Sequence, residues 1–299
     1  MLTLGADRFV LAAARLSRAL GLSPILIGAL VIGLGTSAPE ILVSALAAGR
    51  GEVDLALGNV VGSNTANLTL VLGSTALVTP VVSRLTTIRR EGAAMMLALV
   101  VFSYLLWDLE LIRWEAGGLL AGMVVVSLLL ILWARRDAAE GPLPDPAGAS
   151  GWEGSVSREA MLGLSTLALT LLGADLLVRG ASRLADDLGI SSAFVGLVIV
   201  SVGTSLPELA TAMAAARRGE TDLVLGNVLG SNLFNTLTVA GIAGLIGPGL
   251  ADEAFQNALV FMLISGIAAG VFVATGRRLE RWEGAVLLTV FLGFVSVVA

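Results

Sequence analysis

The sequence predicts an all-α polytopic membrane protein of about ten transmembrane helices in two inverted five-helix repeats, and three observations carry that prediction. The 299 residues are 56% hydrophobic and 14% charged with a mean hydropathy of +0.92, too apolar for a soluble domain and enough for about ten spans of roughly 20 to 25 residues. The stretch Gly33-Leu34-Gly35-Thr36-Ser37-Ala38-Pro39-Glu40 places two hydroxyls, a proline and a carboxylate inside an apolar run. That stretch then occurs a second time, in a second half that answers the first in register.

Composition narrows the chemistry. All 18 basic residues are arginine, and histidine and cysteine are absent, which excludes disulfides, thiolate metal sites and imidazole catalysis. Apart from thioether sulfur, oxygen is the ligand element available, so any metal bound here is a hard cation such as Na⁺, Ca²⁺, Mg²⁺ or Mn²⁺. The amino terminus leads directly into a helical pattern with no small-residue cleavage site, so no signal peptide is expected.

In chain order, the first helix is expected from Met1 to about Leu20 and carries Asp7, Arg8, Arg15 and Arg18. The apolar run Pro24 to Ala48 holds the first motif. Pro39 has no N–H for the carbonyl of Gly35, and its ring pushes that carbonyl away, so the helix breaks there. Carbonyls near Gly33, Gly35, Ser201 and Gly203 are thereby expected to be free. The run Leu55 to about Val78 holds Gly58-Asn59-Val60-Val61-Gly62-Ser63-Asn64-Thr65-Ala66-Asn67. Asp54 at its start is read as a helix cap. Plainer spans are expected at about 92–107 and 115–134. Residues 135–158 turn to Asp, Glu, Gly, Pro and Ser and read as an aqueous linker, dividing the chain into a first repeat, 1–134, and a second, 159–299.

The second half repeats the first at a constant offset. Gly173-Ala174-Asp175 answers Gly5-Ala6-Asp7, Gly203-Thr204-Ser205-Leu206-Pro207-Glu208 answers Gly35 to Glu40, and Gly226-Asn227 through Ser231-Asn232 to Asn235 answers Gly58 to Asn67. Close to half of about 63 aligned positions are identical, too many for shared hydrophobicity, so the halves are an internal duplication. Asp222 is read as a cap like Asp54, Asp175 as a partner of Arg179, and Gly28, Gly62, Gly196 and Gly230 as close-packing positions. Two plain spans, about 256–274 and 283–298, close the chain. The helix before Gly173 begins near Glu159, whereas only four residues precede Gly5. The first helix is therefore expected to be short at its start, either because the natural chain begins upstream with an apolar extension or because this copy has lost its first turns.

An odd number of spans per half requires the copies to lie upside down to each other. Arginine is concentrated in alternate loops, at Arg15 and Arg18, Arg84 to Arg90, Arg135 to Arg158, Arg217 and Arg218, and Arg277 to Arg281. Those loops, including the linker, are expected to be cytoplasmic, with both termini outside.

Two inverted copies bring their broken helices together near the bilayer midplane, where Glu40 and Glu208 would face each other. Intramembrane glutamate costs several kcal/mol unless paired, protonated or wet. Two bare carboxylates repel and share a proton unless cations lie between them; one divalent or two monovalent cations neutralise the pair. Asn67 and Asn235 add amide oxygens, and Thr36, Ser37, Ser63, Thr204, Ser205 and Ser231 add hydroxyls. Six to eight oxygens in a flexible site suit Ca²⁺ better than Mg²⁺.

The paired motifs GTSAPE with GNVVGSNTAN and GTSLPE with GNVLGSNLFN resemble the two alpha-repeats of the sodium/calcium exchanger family, in the calcium/cation antiporter superfamily. The resemblance covers essentially the whole chain. It implies ten transmembrane helices and a secondary antiporter that moves Na⁺ inward and Ca²⁺ outward by alternating access across the cytoplasmic membrane. It assigns the central acids to Glu40 and Glu208, the central amides to Asn67 and Asn235, and flanking sodium sites to Thr36, Ser37, Ser63, Thr204, Ser205 and Ser231. Some members, including potassium-dependent ones, have aspartate at the place of Asn235, so potassium coupling is not expected. The partners expected are Ca²⁺, Na⁺ and the lipid bilayer, for a monomer with no cofactor and no nucleic acid. The alternative within this class is a proton-coupled Ca²⁺/cation antiporter. An intramembrane hydrolase would need an activated serine, for which the chain has neither histidine nor lysine, and a scaffold leaves two midplane glutamates without a purpose.

Overall fold

The computed structural model describes residues 2–19, 23–140, 155–187 and 195–298; the side chains of 18, 137–140, 174, 177–187, 195–197 and 254 lie outside what is described. The expected linker is thus outside the described residues over 141–154, as is the expected pairing of Asp175 with Arg179. In the first half the helices are α1 (Leu2–Ala19), α2 (Pro24–Thr36), α3 (Ala38–Gly49), α4 (Val53–Val78), α5 (85–105) and α6 (Arg113–Glu140). Their counterparts are α7 (Val156–Asp187), α8 (Val198–Thr204), α9 (Leu206–Arg217), α10 (Thr221–Ile246), α11 (Ala254–Gly276) and α12 (Arg281–Val298).

Among the described residues five helices are long and apolar enough to cross a membrane, and the bent pairs α2 with α3 and α8 with α9 raise that to seven. The places of the other three expected spans are taken by α1, α5 and α7. The helices sort into a centre and a shell. The membrane-crossing windows of α4 and α10 are 89% and 72% buried, whereas those of α6 and α12 are 22% buried and present apolar side chains outward. An apolar exterior around a polar-bearing centre is the arrangement a bilayer requires, since no water is present there to satisfy backbone groups.

Local sequence explains the ends. Pro24 opens α2 at a position whose N–H has no helical partner, and Ser23 Oγ accepts the Leu26 N–H at 3.2 Å. Tight turns join α3 to α4 and α9 to α10: Glu52 N–H donates to Ala47 O at 2.9 Å and Gly51 N–H to Ala48 O at 3.0 Å, repeated by Glu220 and Gly219 on Ala215 and Ala216. This six-to-one and five-to-two closure needs a left-handed residue, and Gly51 (φ 77°) and Gly219 (φ 73°) supply it. Close approach accounts for other glycines: a methyl at Gly230 would lie 2.3 Å from Ala29 O, and one at Gly28 would lie 2.9 Å from Gly226 Cα. For Gly28 and Gly230 the packing reading therefore holds.

Two short ladders tie the halves to each other. Strand β1 (Val81–Val82) pairs antiparallel with β4 (Arg278–Leu279), and β2 (Glu110–Leu111) with β3 (Gly249–Leu250). The register is Val81 with Leu279 in one and Leu111 with Gly249 in the other, which are equivalent pairs under the repeat. Even the left-handed residues Leu109 (φ 67°) and Arg277 (φ 53°) that precede β2 and β4 are equivalent.

The first helix and its counterpart pack antiparallel. Arg15 pairs with Glu159 at 3.0 Å near one end, and a methyl on Gly173 would meet Leu2 N at 2.7 Å near the other. The two differ in length, with 18 residues in α1 and 32 in α7.

Two readings of charged side chains are corrected by these contacts, and Asp7 gains a partner. Asp54 and Asp222 lie in the first turns of α4 and α10 without capping them. Asp54 Oδ1 instead accepts the Asp252 N–H at 2.9 Å, and Asp222 pairs with Arg84 at 3.5 Å. Asp7, for which sequence spacing offers no partner, is gripped by both carboxylate oxygens from Arg218, at 2.7 to 3.0 Å. All three partners lie in the other half, where helix spacing along one chain gives no hint of them.

Candidate ion-binding site

The two breaks come at equivalent serines. Ser37 (φ −79°, ψ 5°) and Ser205 (φ −81°, ψ 3°) leave helical geometry, and the axes bend by 43° and 44° before Pro39 and Pro207 restart the helices. Each break therefore sits two residues ahead of a proline, because the proline cannot extend the preceding helix. Just before the breaks, both chains widen into π-helical turns at Ile27–Ile32 and Val195–Val200. The same widening occurs at Asn67–Val71 and Phe234–Val239, at the central amides, and such turns concentrate at functional sites. No residue pattern in the sequence announces them.

All ten predicted site residues are buried, none more than 2% exposed. They meet crosswise. Ser37 Oγ donates to Glu208 Oε1 at 3.0 Å, and Ser205 Oγ to Glu40 Oε1 at 3.4 Å, so each broken helix contacts the acid of the other half. Ser231 Oγ adds a second bond to Glu208 Oε1 at 3.3 Å. Ser63, its equivalent, turns instead to the Ser201 carbonyl at 3.3 Å and lies 3.4 Å from Thr204 Oγ1. Thr204 Oγ1 reaches Asn59 Oδ1 at 3.0 Å, and Thr36 Oγ1 lies 3.3 Å from Asn227 Oδ1.

The carbonyls expected to be free are partly engaged: Gly33 O accepts the Ser37 N–H at 3.0 Å, and Ser201 O accepts the Ser205 N–H at 3.1 Å as well as Ser63 Oγ. The i to i+4 bond at the serine survives because the proline removes a donor two residues later.

Sequence reading passed over a second layer of polar residues. Asn59 Nδ2 donates to the Glu40 carbonyl at 3.3 Å and to Ser44 Oγ at 3.0 Å; Asn227 Nδ2 donates to the Glu208 carbonyl and to Thr211 Oγ1, both at 3.1 Å. Each asparagine thus holds the backbone of its own acid while its oxygen faces a threonine of the opposite half. The signal was present for Asn59 and Asn227, which stand at equivalent places in the duplicated motifs. It was absent for Ser44 and Thr211, which are one position out of register. Asn64 and Asn232 are also duplicated and buried, but their amides go separate ways, to Thr236 Oγ1 at 2.9 Å and to Val228 O at 2.7 Å.

What the protein leaves unsatisfied defines the chemistry. Oε2 of Glu40 and of Glu208 has no hydrogen-bond partner, and neither polar side-chain atom of Asn67 or Asn235 has one. Native interiors seldom leave such groups unpaired, since each costs about 1–3 kcal/mol, more when charged. Among the described residues no arginine pairs with either carboxylate, and no group of three or more acids assembles. Two carboxylates, two amides and a ring of hydroxyls make an all-oxygen site carrying two negative charges when both acids are ionised, matched to one divalent or two monovalent hard cations.

Known proteins share this architecture. The sodium/calcium exchanger protein family matches residues 1–133 and 160–299. A putative antiporter, CaxA, of Alkalimonas amylolytica is 38% identical, over 98% of this chain and 94% of that one. The sodium/calcium exchanger MaX1 of Methanosarcina acetivorans is 30% identical over 98% and 94% of the two chains. In structure, the chain superposes on the sodium-calcium exchanger NCX_Mj with a TM-score of 0.83 and 28% identity, covering 99% of this chain and 94% of that one.

Proposed function

This chain belongs to the sodium/calcium exchanger family, and from that premise we propose that it moves Na⁺ inward and Ca²⁺ outward by alternating access, with Glu40, Glu208, Asn67 and Asn235 as the central ligands. Thr36, Ser37, Ser63, Thr204, Ser205 and Ser231 complete the sodium sites. The carrying observation is the pair of fully buried glutamates, each with one carboxylate oxygen unpartnered beside the unpartnered amides. An ionised, empty pair would be two uncompensated charges at membrane depth, costly enough to hold the carrier on one face until ions load. Loading by one Ca²⁺ or by Na⁺ removes that barrier, and the requirement to be loaded in both directions makes the movement an exchange.

The proposed frame is ten transmembrane helices in two inverted halves, 1–134 and 159–299, joined by a cytoplasmic linker, 135–158, with both termini outside and the monomer as the working unit. Inversion is supported by the ladders. Equivalent strands β1 and β3 belong to different ladders, as do β2 and β4, and β1 and β2 lie at opposite ends of α5. Orientation is supported by the grouping of arginine-rich loops: Arg84 reaches Asp222 beside Arg217 and Arg218, and Arg278 lies on the ladder partner of Val82.

The test is uptake of radioactive calcium into proteoliposomes under an outward Na⁺ gradient, compared with an equal proton gradient at constant Na⁺. Uptake driven by Na⁺ and indifferent to a protonophore is expected. Uptake that follows the proton gradient alone would replace the sodium reading with the proton-coupled one.

A further inference from the structure

A cavity of about 380 Å³ opens on one flank of the molecule, between α5 and α11, with α4 and α10 as its floor. Ser83 and Thr87 stand at one end, and its deep wall is apolar: Leu72, Met95, Val228 and Val273 are each between 2% and 7% exposed. Its mouth is flanked by Ile267 and Val271, 56% and 50% exposed on a membrane-crossing helix. Ordered water needs two to four polar partners, which these walls do not offer. An apolar cavity of about 150 Å³ already takes up benzene, and this one is more than twice that size.

The duplication shows that side chains, and not the backbone arrangement, open this space. Thr87, Gly270 and Ala274 line it, and their repeat equivalents are Phe255, Phe102 and Leu106, all buried to 2% exposure or less. The same α5–α11 pairing is therefore filled by two aromatic rings and a leucine at one end and left open at the repeat-equivalent end. A methyl added at Gly270 meets nothing within 4 Å.

We infer that the cavity binds the acyl chain of an anionic glycerolipid, which enters sideways from the bilayer between Ile267 and Val271. Acyl chains are the apolar molecules that face a mouth on this surface, and a chain seated there restores the dispersion contacts an empty wall forgoes. The lining on α11 runs from Gly266 to Ala274, about 12 Å of helix, and stops two residues short of the helix end. At that end Ser83 N–H donates to the Arg277 carbonyl at 2.8 Å. The side chains of Arg277 and of nearby Arg89 have no ion pair among the described residues, so a phosphate-bearing anionic headgroup finds positive charge where the chain emerges.

The experiment reconstitutes the full chain in phosphatidylcholine liposomes doped with a phosphatidylglycerol that carries a diazirine on its acyl chain, followed by illumination and peptide mass mapping. Adducts are expected on Leu72, Met95 or Val228, which bulk lipid does not reach. They should fall at least tenfold in Gly270→Phe and in Ala274→Leu, which install the residues of the other half, while labelling of the exposed Leu97 and Ile264 stays constant. Adducts confined to exposed side chains, or buried adducts undiminished in whichever variant elutes as folded monodisperse protein, would overturn the site. The same diazirine chain on phosphatidylcholine should label the buried positions less; equal labelling would overturn the anionic preference.

Discussion

Glu40 and Glu208 occupy equivalent places in two copies of one motif, and both are completely buried, but their hydroxyl partners differ. Glu208 Oε1 accepts Ser37 at 3.0 Å and Ser231 at 3.3 Å, whereas Glu40 Oε1 accepts Ser205 at the longer distance of 3.4 Å. The serine that would complete the match, Ser63, is committed to the Ser201 carbonyl and the neighbourhood of Thr204. A duplicated sequence thus supplies identical parts, and a single conformation uses them unequally. On the proposed reading of two inverted halves working by alternating access, that inequality is what a conformation facing one side should show, since exchanging the roles of the halves would face the site to the other side.

The largest expected effect is on the acids. Glu208→Gln and Glu40→Gln should each reduce calcium exchange in proteoliposomes at least about 100-fold, with little change in thermal unfolding, because charge is removed from a two-acid site at nearly constant volume. Equal losses in both would show that the unequal hydroxyls matter less than the shared charge. Calcium movement at the wild-type rate by Glu208→Gln would remove that residue from the site.

Next come the asparagines that hold the acids' backbones. Asn59→Ala and Asn227→Ala each strip a buried carbonyl and two hydroxyls of partners, so each should destabilise the protein by about 1–3 kcal/mol. Their bonds match in both halves, so the two losses should agree in denaturation measurements. A large difference between them would place the asymmetry in the framework as well as in the hydroxyls.

Asn235→Asp adds a third carboxylate to one half only and should shift the ratio of calcium to sodium affinity about tenfold, with a new pH dependence from the added charge. An ion preference unchanged across a pH series would count against Asn235 lying among the ligands. Ser231→Ala should weaken cation binding by roughly fivefold, about one net hydrogen bond, and Ser63→Ala by less. Identical isothermal titrations of the two would show that the unequal pairing does not persist in solution. The smallest effect belongs to Asp7 and Arg218. Their side chains are 44% and 31% exposed, so Asp7→Asn should change stability by less than about 1 kcal/mol, diminishing further as salt is raised.

Much of this was legible in the residues. Hydropathy predicted the apolar helices, the fixed offset revealed the duplication, and glutamate beside proline in an apolar run marked both breaks; the ten residues proposed as ligands are all buried. Asn59 and Asn227 could have been found as well, because both copies keep them. Ser44 and Thr211 could not, since they do the same work from places one residue out of register.

The sequence by itself determined which oxygen atoms are available at membrane depth and where each helix must break, because those follow from residue type and from spacing along a single helix. Tertiary structure decided which hydroxyl reaches which carboxylate, that Asp7, Asp54 and Asp222 find partners in the other half, and that one end of the α5–α11 pair is filled by Phe102 and Phe255 while the equivalent end stands open at Gly270. These contacts join residues more than a hundred positions apart. They depend on how closely two helices approach, as where Gly28 meets Gly226, and on small rotations set by π-helical turns. Spacing along one chain fixes a face of a helix; the packing of two helices fixes what that face touches.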